Sequence, residues 1–344
     1  MADRSSTARV LLFSDKQIKT EERHMRGSFL AIGFACLLSG LLATPEVRAD
    51  SDFKITLIGT GTPIPRPDRF GPSTLVEAGD QKFLIDAGRG APVRLWQVKV
   101  PSGKIDVLFL THYHSDHTSG IADLWLTGWL PPPFGQRKAA FHVIGPTGAK
   151  VLMENLEKAY ALDIKIRIED EKLPPEGIAV KVDEFAKDGV VYEKSGVKIT
   201  AFEVNHGDAI KPAFGYRIDY KGHSAVISGD TRYSENVIKY GAGADLLIHE
   251  VAMAAPALMQ IPAMQRIIAH HTTPKEAGMV FAKARPKLAV YSHIVLLSNE
   301  KIAEPSLDDL VAETRQTYGG PLEVGEDLTA FEIGNTVTVY HFKP

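Results

Sequence analysis

His112-Tyr113-His114-Ser115-Asp116-His117 puts four metal-ligating side chains within one short stretch, directly after the apolar run of residues 105–110. A short, nearly continuous apolar run bounded by polar turns reads as a buried strand. Side chains two apart on extended backbone share a face, so His112 and His114 are expected to point together. Asp116 and His117, on the following turn, are expected to reach a second centre nearby. One histidine in such a place is ordinarily a satisfied core or surface group; four ligand-type residues together are not explained that way. Imidazole and carboxylate without thiolate suit zinc, and also iron or manganese. An open catalytic zinc takes three protein ligands, so four candidates point to two metals or to a further role for one residue.

Outward from this stretch, strands and helices alternate. Residues 53–58 alternate apolar and polar before Gly59-Thr60-Gly61-Thr62-Pro63. Residues 74–77 and 82–85 flank Gly79-Asp80, a hairpin signal. Ile121, Leu124, Trp125 and Trp129 recur at helical spacing. With Phe134 they read either as core or as the wall of an apolar leaving-group pocket. Residues 141–144 and 197–204 read as strands, 150–160 as a helix, and 214–227 as a hairpin turning at Lys221-Gly222. Residues 246–248 and 288–291 are buried-type strands. Thr273-Pro274-Lys275-Glu276 is a capping box with proline at the first helical position. Residues 328–342 form a last hairpin about Gly334-Asn335. This mixture suits an α/β chain of two sheets packed face to face with helices outside. The proline-rich residues 131–138 read as a loop, and no repeat or low-complexity linker divides the chain.

The 344 residues carry a formal charge of −3 and 24% charged residues, a globular composition without the basic excess that nucleic-acid binding would favour. The only cysteine, Cys36, excludes an intramolecular disulfide and any cysteine-built metal site. It lies in the apolar run 29–43, which follows Arg23, His24, Met25 and Arg26 and ends in Thr44-Pro45-Glu46-Val47-Arg48-Ala49-Asp50. A basic flank, an apolar run and a small-residue exit predict a secretory signal peptide cleaved after Ala49, with translation beginning at Met25. The run is short for a membrane span, which needs about 20 apolar residues; an uncleaved anchor is the alternative. The expected organisation is an N-terminal extension and signal over residues 1–49 and a single catalytic domain over 50–344, in the periplasm or outside the cell.

His112-x-His114-x-Asp116-His117 resembles the signature of the metallo-β-lactamase superfamily, and further matches follow in order. Asp86, in Phe83-Leu84-Ile85-Asp86-Ala87-Gly88, resembles the family's buried aspartate beneath the metals and is expected to orient a ligand. His206 in Glu203-Val204-Asn205-His206-Gly207, Asp230 in Ile227-Ser228-Gly229-Asp230-Thr231, and His293 in Val290-Tyr291-Ser292-His293 resemble the remaining ligands. The resemblance implies an αββα four-layer sandwich holding two divalent metal ions, Zn2+ first and Mn2+ or Fe2+ as alternatives. It gives His112, His114 and His206 to one metal and Asp116, His117 and His293 to the other, with Asp230 between them. Asp116 is expected to serve in catalysis as well as in ligation.

Within the superfamily the chain is most similar to the ribonuclease Z-like branch, which also holds arylsulfatase-type and cyclic-nucleotide phosphodiesterase-type enzymes. The stretches that carry this are Leu57-Ile58-Gly59-Thr60-Gly61-Thr62-Pro63, Phe214-Gly215-Tyr216-Arg217-Ile218, Ser228-Gly229-Asp230-Thr231-Arg232, Leu246-Leu247-Ile248-His249-Glu250, and His271-Thr272-Thr273-Pro274-Lys275-Glu276-Ala277. The resemblance implies that Glu250 and His271 help proton transfer and stabilise charge on the transferred group. The bland readings are that His271 shields a turn before a capped helix and that Glu250 pairs with a neighbouring base. His249 and His270 read as packing or surface residues, and His142, His223 and His341 carry no assigned role.

The expected activity is a two-metal hydrolysis in which a metal-activated hydroxide attacks a phosphodiester or sulfate ester of a small molecule. Lactone or β-lactam amide hydrolysis is the alternative, though those branches lack the context of Glu250 and His271. A transfer-RNA 3′-end endonuclease is the remaining one. Ribonuclease Z itself inserts a long transfer-RNA-gripping arm in this region, and here residues 214–230 pass through one tight hairpin. Neither nucleic acid nor membrane, beyond the export signal, is an expected partner; a homodimer is common in the branch. All seven expected ligands are present, which speaks against a binding protein with a lost site.

Overall fold

The period-2 pattern of the strands decides the layering. In Phe53–Gly59 (β1), Phe53, Ile55 and Leu57 are buried in one apolar cluster while Ile58 is buried in another. In Gln81–Ile85 (β3), Phe83 and Ile85 share the first cluster and Leu84 joins the second. Both faces of these strands are therefore covered, which explains their nearly continuous apolar character. The computed structural model describes residues 52–342. The export segment and the 1–49 boundary read from the sequence lie outside the described residues.

Ser73–Ala78 (β2), Val107–Phe109 (β4), Phe141–Pro146 (β5) and Val180–Phe185 (β6) continue the first sheet. The second comprises Gly189–Lys194 (β7), Val197–Glu203 (β8), Phe214–Tyr220 (β9), His223–Ile227 (β10), Leu246–Ala254 (β11), Leu288–Leu297 (β12) and Leu322–Val324 (β13). Ala330–Ile333 (β14) and Val337–Tyr340 (β15) return to the first. Among the described residues the sheets are ordered β15-β14-β1-β2-β3-β4-β5-β6 and β13-β12-β11-β10-β9-β8-β7. Their inner faces meet through residues such as Phe109, Val197, Phe214, Tyr216, Ile248 and Phe331.

Helices cover the outer faces. Ala91–Gln97 (α1), Ser115–Thr118 (α2), Ile121–Trp129 (α3), Ala149–Ala159 (α4) and Ala161–Glu169 (α5) follow the strands of the first sheet. Trp125, Trp129 and Met153 pack there on Leu84, Leu108 and Val143. Glu235–Gly241 (α6), Pro262–Ile268 (α7), Pro274–Ala284 (α8) and Leu307–Thr314 (α9) follow in the second half. Val280, Phe281 and Leu310 pack on Val226, Leu247 and Tyr291. This is the expected αββα sandwich. Among the described residues no helix is long and apolar enough to cross a membrane.

Some readings need correction. The strand expected over 105–110 is only Val107–Phe109, because Ile105 closes a 3-10 turn by donating its amide to Ser102. Trp125 and Trp129 are fully buried, with indole N–H groups on the carbonyls of Ile178 (2.9 Å) and Pro174 (2.8 Å). Phe134 lies against exposed Trp96, with ring centroids 6.0 Å apart. Neither tryptophan walls a substrate pocket.

One hydrogen bond ties the sheets together beside the histidine stretch. The buried Tyr216 hydroxyl of β9 donates to the Leu110 carbonyl, at 2.5 Å, just beyond β4. Tyr216→Phe leaves that carbonyl without this donor, at a cost of about 1–2 kcal/mol. Urea titration of both proteins should show this as a lower midpoint at unchanged slope.

Candidate metal centre

The site is assembled at strand ends, where open α/β sheets present their ligands. Asp86 follows β3, the 112–117 stretch follows β4, His206 follows β8, and Asp230 follows β10. Glu250 and His293 lie on β11 and β12 themselves. There the register slips: His249 faces Tyr291 but Val251 faces Ile294, so Glu250 opposes two residues, Ser292 and His293. Such a bulge redirects side chains. His293 has φ 47°, in the left-handed region, as does Asp86 at φ 58°. Gly88 lets two loops touch, since a Cβ there would meet the Asp116 carbonyl oxygen at 2.5 Å.

The structure brings all seven expected ligands together. His114 Nδ1 lies 3.1 Å from His112 Nε2 and 3.2 Å from His206 Nε2. Asp230 Oδ2 lies 3.9 and 3.7 Å from those two Nε2 atoms. It also lies 3.3 Å from His117 Nε2 and 3.2 Å from His293 Nε2. Asp116 Oδ2 stands 3.6 Å from His117 Nε2 and 3.3 Å from His293 Nε2. The donors thus form two sets, His112/His114/His206 and Asp116/His117/His293, with Asp230 touching both. His112 and His114 converge not from a strand, as expected, but from the extended loop beyond β4.

These spacings fit metal ligation. Zinc–nitrogen bonds of about 2.0–2.1 Å put tetrahedral ligand pairs about 3.3 Å apart, and these donors stand 3.1 to 3.9 Å apart. The hydrogen bonds of the opposite ring atoms aim the lone pairs inward. The His270 carbonyl can only accept, so His206 Nδ1 carries the proton (2.9 Å) and leaves Nε2 free. His117 Nδ1 donates to Asp86 Oδ2 at 2.7 Å. Thr111 donates its hydroxyl to Asp86 Oδ2 at 2.7 Å and therefore accepts from His112 Nδ1 at 2.9 Å. His117 Nε2 is buried and makes no hydrogen bond, as a nitrogen reserved for a cation does.

Electrostatics divide the imidazoles. Burial holds His112 well below its ordinary range, and brings His206 down to about 4 against the pull of Asp230. Both are neutral ligands at pH 7. Burial also opposes charge on His117, but Asp230 and Asp86 outweigh it and raise the imidazole well above its usual value. Burial alone would raise Asp230; the charges of His293 and His117 instead hold it well below the carboxylate range.

Glu250 and His271 form a buried pair at the same site. Glu250 Oε1 accepts the amides of Thr231 (3.2 Å) and Thr272 (3.0 Å), and Oε2 faces His271 Nδ1 at 3.1 Å. Burial lowers His271, yet Glu250 overcomes this and holds the imidazole at about 9. His271 also shares a group with Asp230 and His293. Glu250 is 2% exposed, and His271 stands between it and the open side of the site. The site opens where His114 is exposed and His271 half-buried.

Sequence reasoning missed Thr111, whose amide and hydroxyl both hold Asp86; its place directly before His112 was the available signal. It also left His270 without a part, although its carbonyl orients His206. Buried His249 packs edge-on against Phe281. His142, His223 and His341 lie elsewhere, beside Asp183, Asp245 and Glu323.

Comparison with known proteins agrees with this geometry. Residues 81–294 match the family described as "Beta-lactamase superfamily domain". Ribonuclease Z of Mycobacterium marinum is 35% identical over 285 residues, 81% of this chain and 98% of that protein. The chain belongs to the metallo-β-lactamase superfamily. It is ribonuclease Z-like, and like the superfamily a metal-dependent hydrolase. Two solved structures share the fold. The metallo-β-lactamase fold protein YhfI of Bacillus subtilis has a TM-score of 0.63 at 21% identity, covering 81% of this chain and 99% of its own. A diphosphatase of the PhnP family has 0.56 at 18%, covering 83% and 100%.

Because Asp86 lies outside both donor sets and holds His117 Nδ1, Asp86→Asn tests the supporting network rather than a ligand. Loss of its charge on His117 should weaken metal binding about 10–100-fold. Chelator competition followed by elemental analysis reads this directly. His114→Ala and Asp230→Ala should go further and retain less than the parent's full metal content.

Proposed function

We propose that the protein is a phosphodiesterase carrying two divalent cations, zinc first, and acting on a small exported molecule. The observation that carries this reading is the division of seven donors into two sets around Asp230, with the Glu250–His271 pair at their side. A catalytic zinc needs only three protein ligands, and the seven donors here exceed that. Bound at these sets, the cations supply Lewis-acid polarisation of a phosphoryl oxygen and a water of near-neutral acidity.

The remaining work belongs to side chains. Asp230 and Asp116 hold negative charge beside His117 and His293, which favours cations there over other ligands. Glu250, fixed by two backbone amides, keeps the proton on His271 Nδ1. His271 Nε2–H is then left to donate to the non-bridging oxygens or to the departing alkoxide. That donation matters most as negative charge grows in the transition state. Shielding from bulk solvent strengthens it, because His112, His117, His206 and His293 are each at most 5% exposed.

The scaffold and the relatives support this substrate class. A curated relative is named ribonuclease Z and a structural neighbour a diphosphatase, both consistent with attack at phosphorus. Between His206 and Asp230 the chain makes only the β9–β10 hairpin, which turns at Lys221 and Gly222. No projecting arm is available there to grip a folded RNA. The signal-like segment supports a substrate met outside the cytoplasm.

A panel of bis(4-nitrophenyl) phosphate, 4-nitrophenyl sulfate, a cyclic nucleotide, precursor transfer RNA, an acyl-homoserine lactone and nitrocefin separates the classes. The diester should be turned over fastest, and EDTA should abolish the activity. Faster turnover of lactone or nitrocefin would refute attack at phosphorus; faster cleavage of precursor transfer RNA would refute the small substrate. His271→Ala should lower kcat about 100–1,000-fold with metal content unchanged.

A further inference from the structure

Three of the imidazoles have their second nitrogen committed to the protein. His112 uses Thr111, His117 uses Asp86 and His206 uses the His270 carbonyl. His293 is different. Its Nε2 faces Asp116 and Asp230, while Nδ1 is buried and has no hydrogen-bond partner in the protein. The residue is 5% exposed, so bulk solvent does not satisfy it either.

His293 also lines a cavity of about 40 Å³ between the two sheets, which shares His117 and Asp230 with the cluster. A buried water needs roughly 10–15 Å³ by this measure, together with at least two polar partners. The cavity has room for more than one. Ser73, Thr74, Ser228 and Ser292 put hydroxyl-bearing side chains on its wall, and the Ser73 hydroxyl donates to the Asp86 carbonyl. The Ser228 hydroxyl is already used: it donates to the Gly229 carbonyl and accepts the Glu250 amide. Thr74 and Ser292 show no side-chain hydrogen bond and are buried, at 5% and 8% exposure. Their hydroxyls are the groups left over, as is His293 Nδ1.

We propose that this cavity is a built water site: one or two ordered waters accept the His293 Nδ1 proton and are anchored by Thr74 and Ser292. A metal-ligating histidine needs its second nitrogen to donate, because that fixes the tautomer and turns the other lone pair to the cation. At His112, His117 and His206 protein atoms perform this task. At His293, which lies in the bulge opposite Glu250, no protein atom does so, and water takes that place. Thr74 and Ser292 are positioning residues for His293 and touch neither cation nor substrate.

This inference rests on the metal reading of the cluster, and the experiment separates the two. The full-length protein is titrated with Zn2+ against a chromogenic chelator, in the parent and in Thr74→Val/Ser292→Ala. The double variant should bind one zinc about tenfold more weakly, with the zinc of the His112/His114/His206 set unaffected. Thermal unfolding of the metal-free forms checks that both are folded. A zinc-loaded crystal structure of the parent should show water within 3.2 Å of His293 Nδ1. Failure of the parent to bind zinc would sink the metal reading itself. Normal zinc binding with a dry cavity, or with unchanged affinity in a folded double variant, overturns the water site alone. If the double variant does not fold, the parent crystal structure decides.

Discussion

Asp86 is the carboxylate on which the centre depends. It sits beyond β3 with a left-handed backbone and accepts the Thr111 amide at 2.8 Å, the Thr111 hydroxyl at 2.7 Å and His117 Nδ1 at 2.7 Å. An ionised carboxylate that is nearly fully buried is tolerable only when its oxygens are satisfied in this way. The same three bonds lock the loop after β4 to the loop after β3 and orient two histidines. The stability of the carboxylate and the order of the metal ligands are therefore one requirement, met by one set of contacts.

The two-sheet architecture supplies the frame. Parallel neighbours β3, β4 and β5 end side by side, as do β10, β11 and β12. The sheets' common core brings these two rows of ends together, and Tyr216 ties them by reaching Leu110. A second buried carboxylate secures the rim. Asp327 accepts the Thr60 amide and hydroxyl and the Phe70 amide, and pairs with Arg94 at 3.1 Å. The Gly59-to-Pro63 turn is held beside the site by a segment more than 260 residues away in the chain.

This distance scale explains what could be read from the sequence. The 112–117 stretch is local, so its metal chemistry was visible in residue type and spacing alone. His206, Asp230 and His293 were visible only through resemblance to a family, because nothing local separates them from ordinary strand-end residues. The bulge that aims His293 was not legible, since it is a mismatch between β11 and β12 and not a property of either. Thr111 and the His270 carbonyl escaped for a related reason. Their part is to orient other side chains, and a backbone carbonyl has no sequence signature. The tryptophans at helical spacing left two readings open; burial and indole hydrogen bonds to distant carbonyls select the core.

The charge state of the centre links its ligands to its chemistry. Asp116, Asp230 and Asp86 surround His117, and without a cation between them the imidazole is driven to hold a proton. A divalent cation can replace that proton, because ligation requires neutral imidazole and brings its own positive charge to the carboxylates. Metal binding at these donors would therefore exchange cations for protons in a buried space. In the proposed mechanism His271 stands outside this exchange. Its charge is balanced by Glu250, a partner the ligand set does not include, so His271 can keep a proton to donate while His117 gives one up. Under the proposed function, these two histidines, both raised by carboxylates, would take opposite tasks according to which carboxylate each one faces.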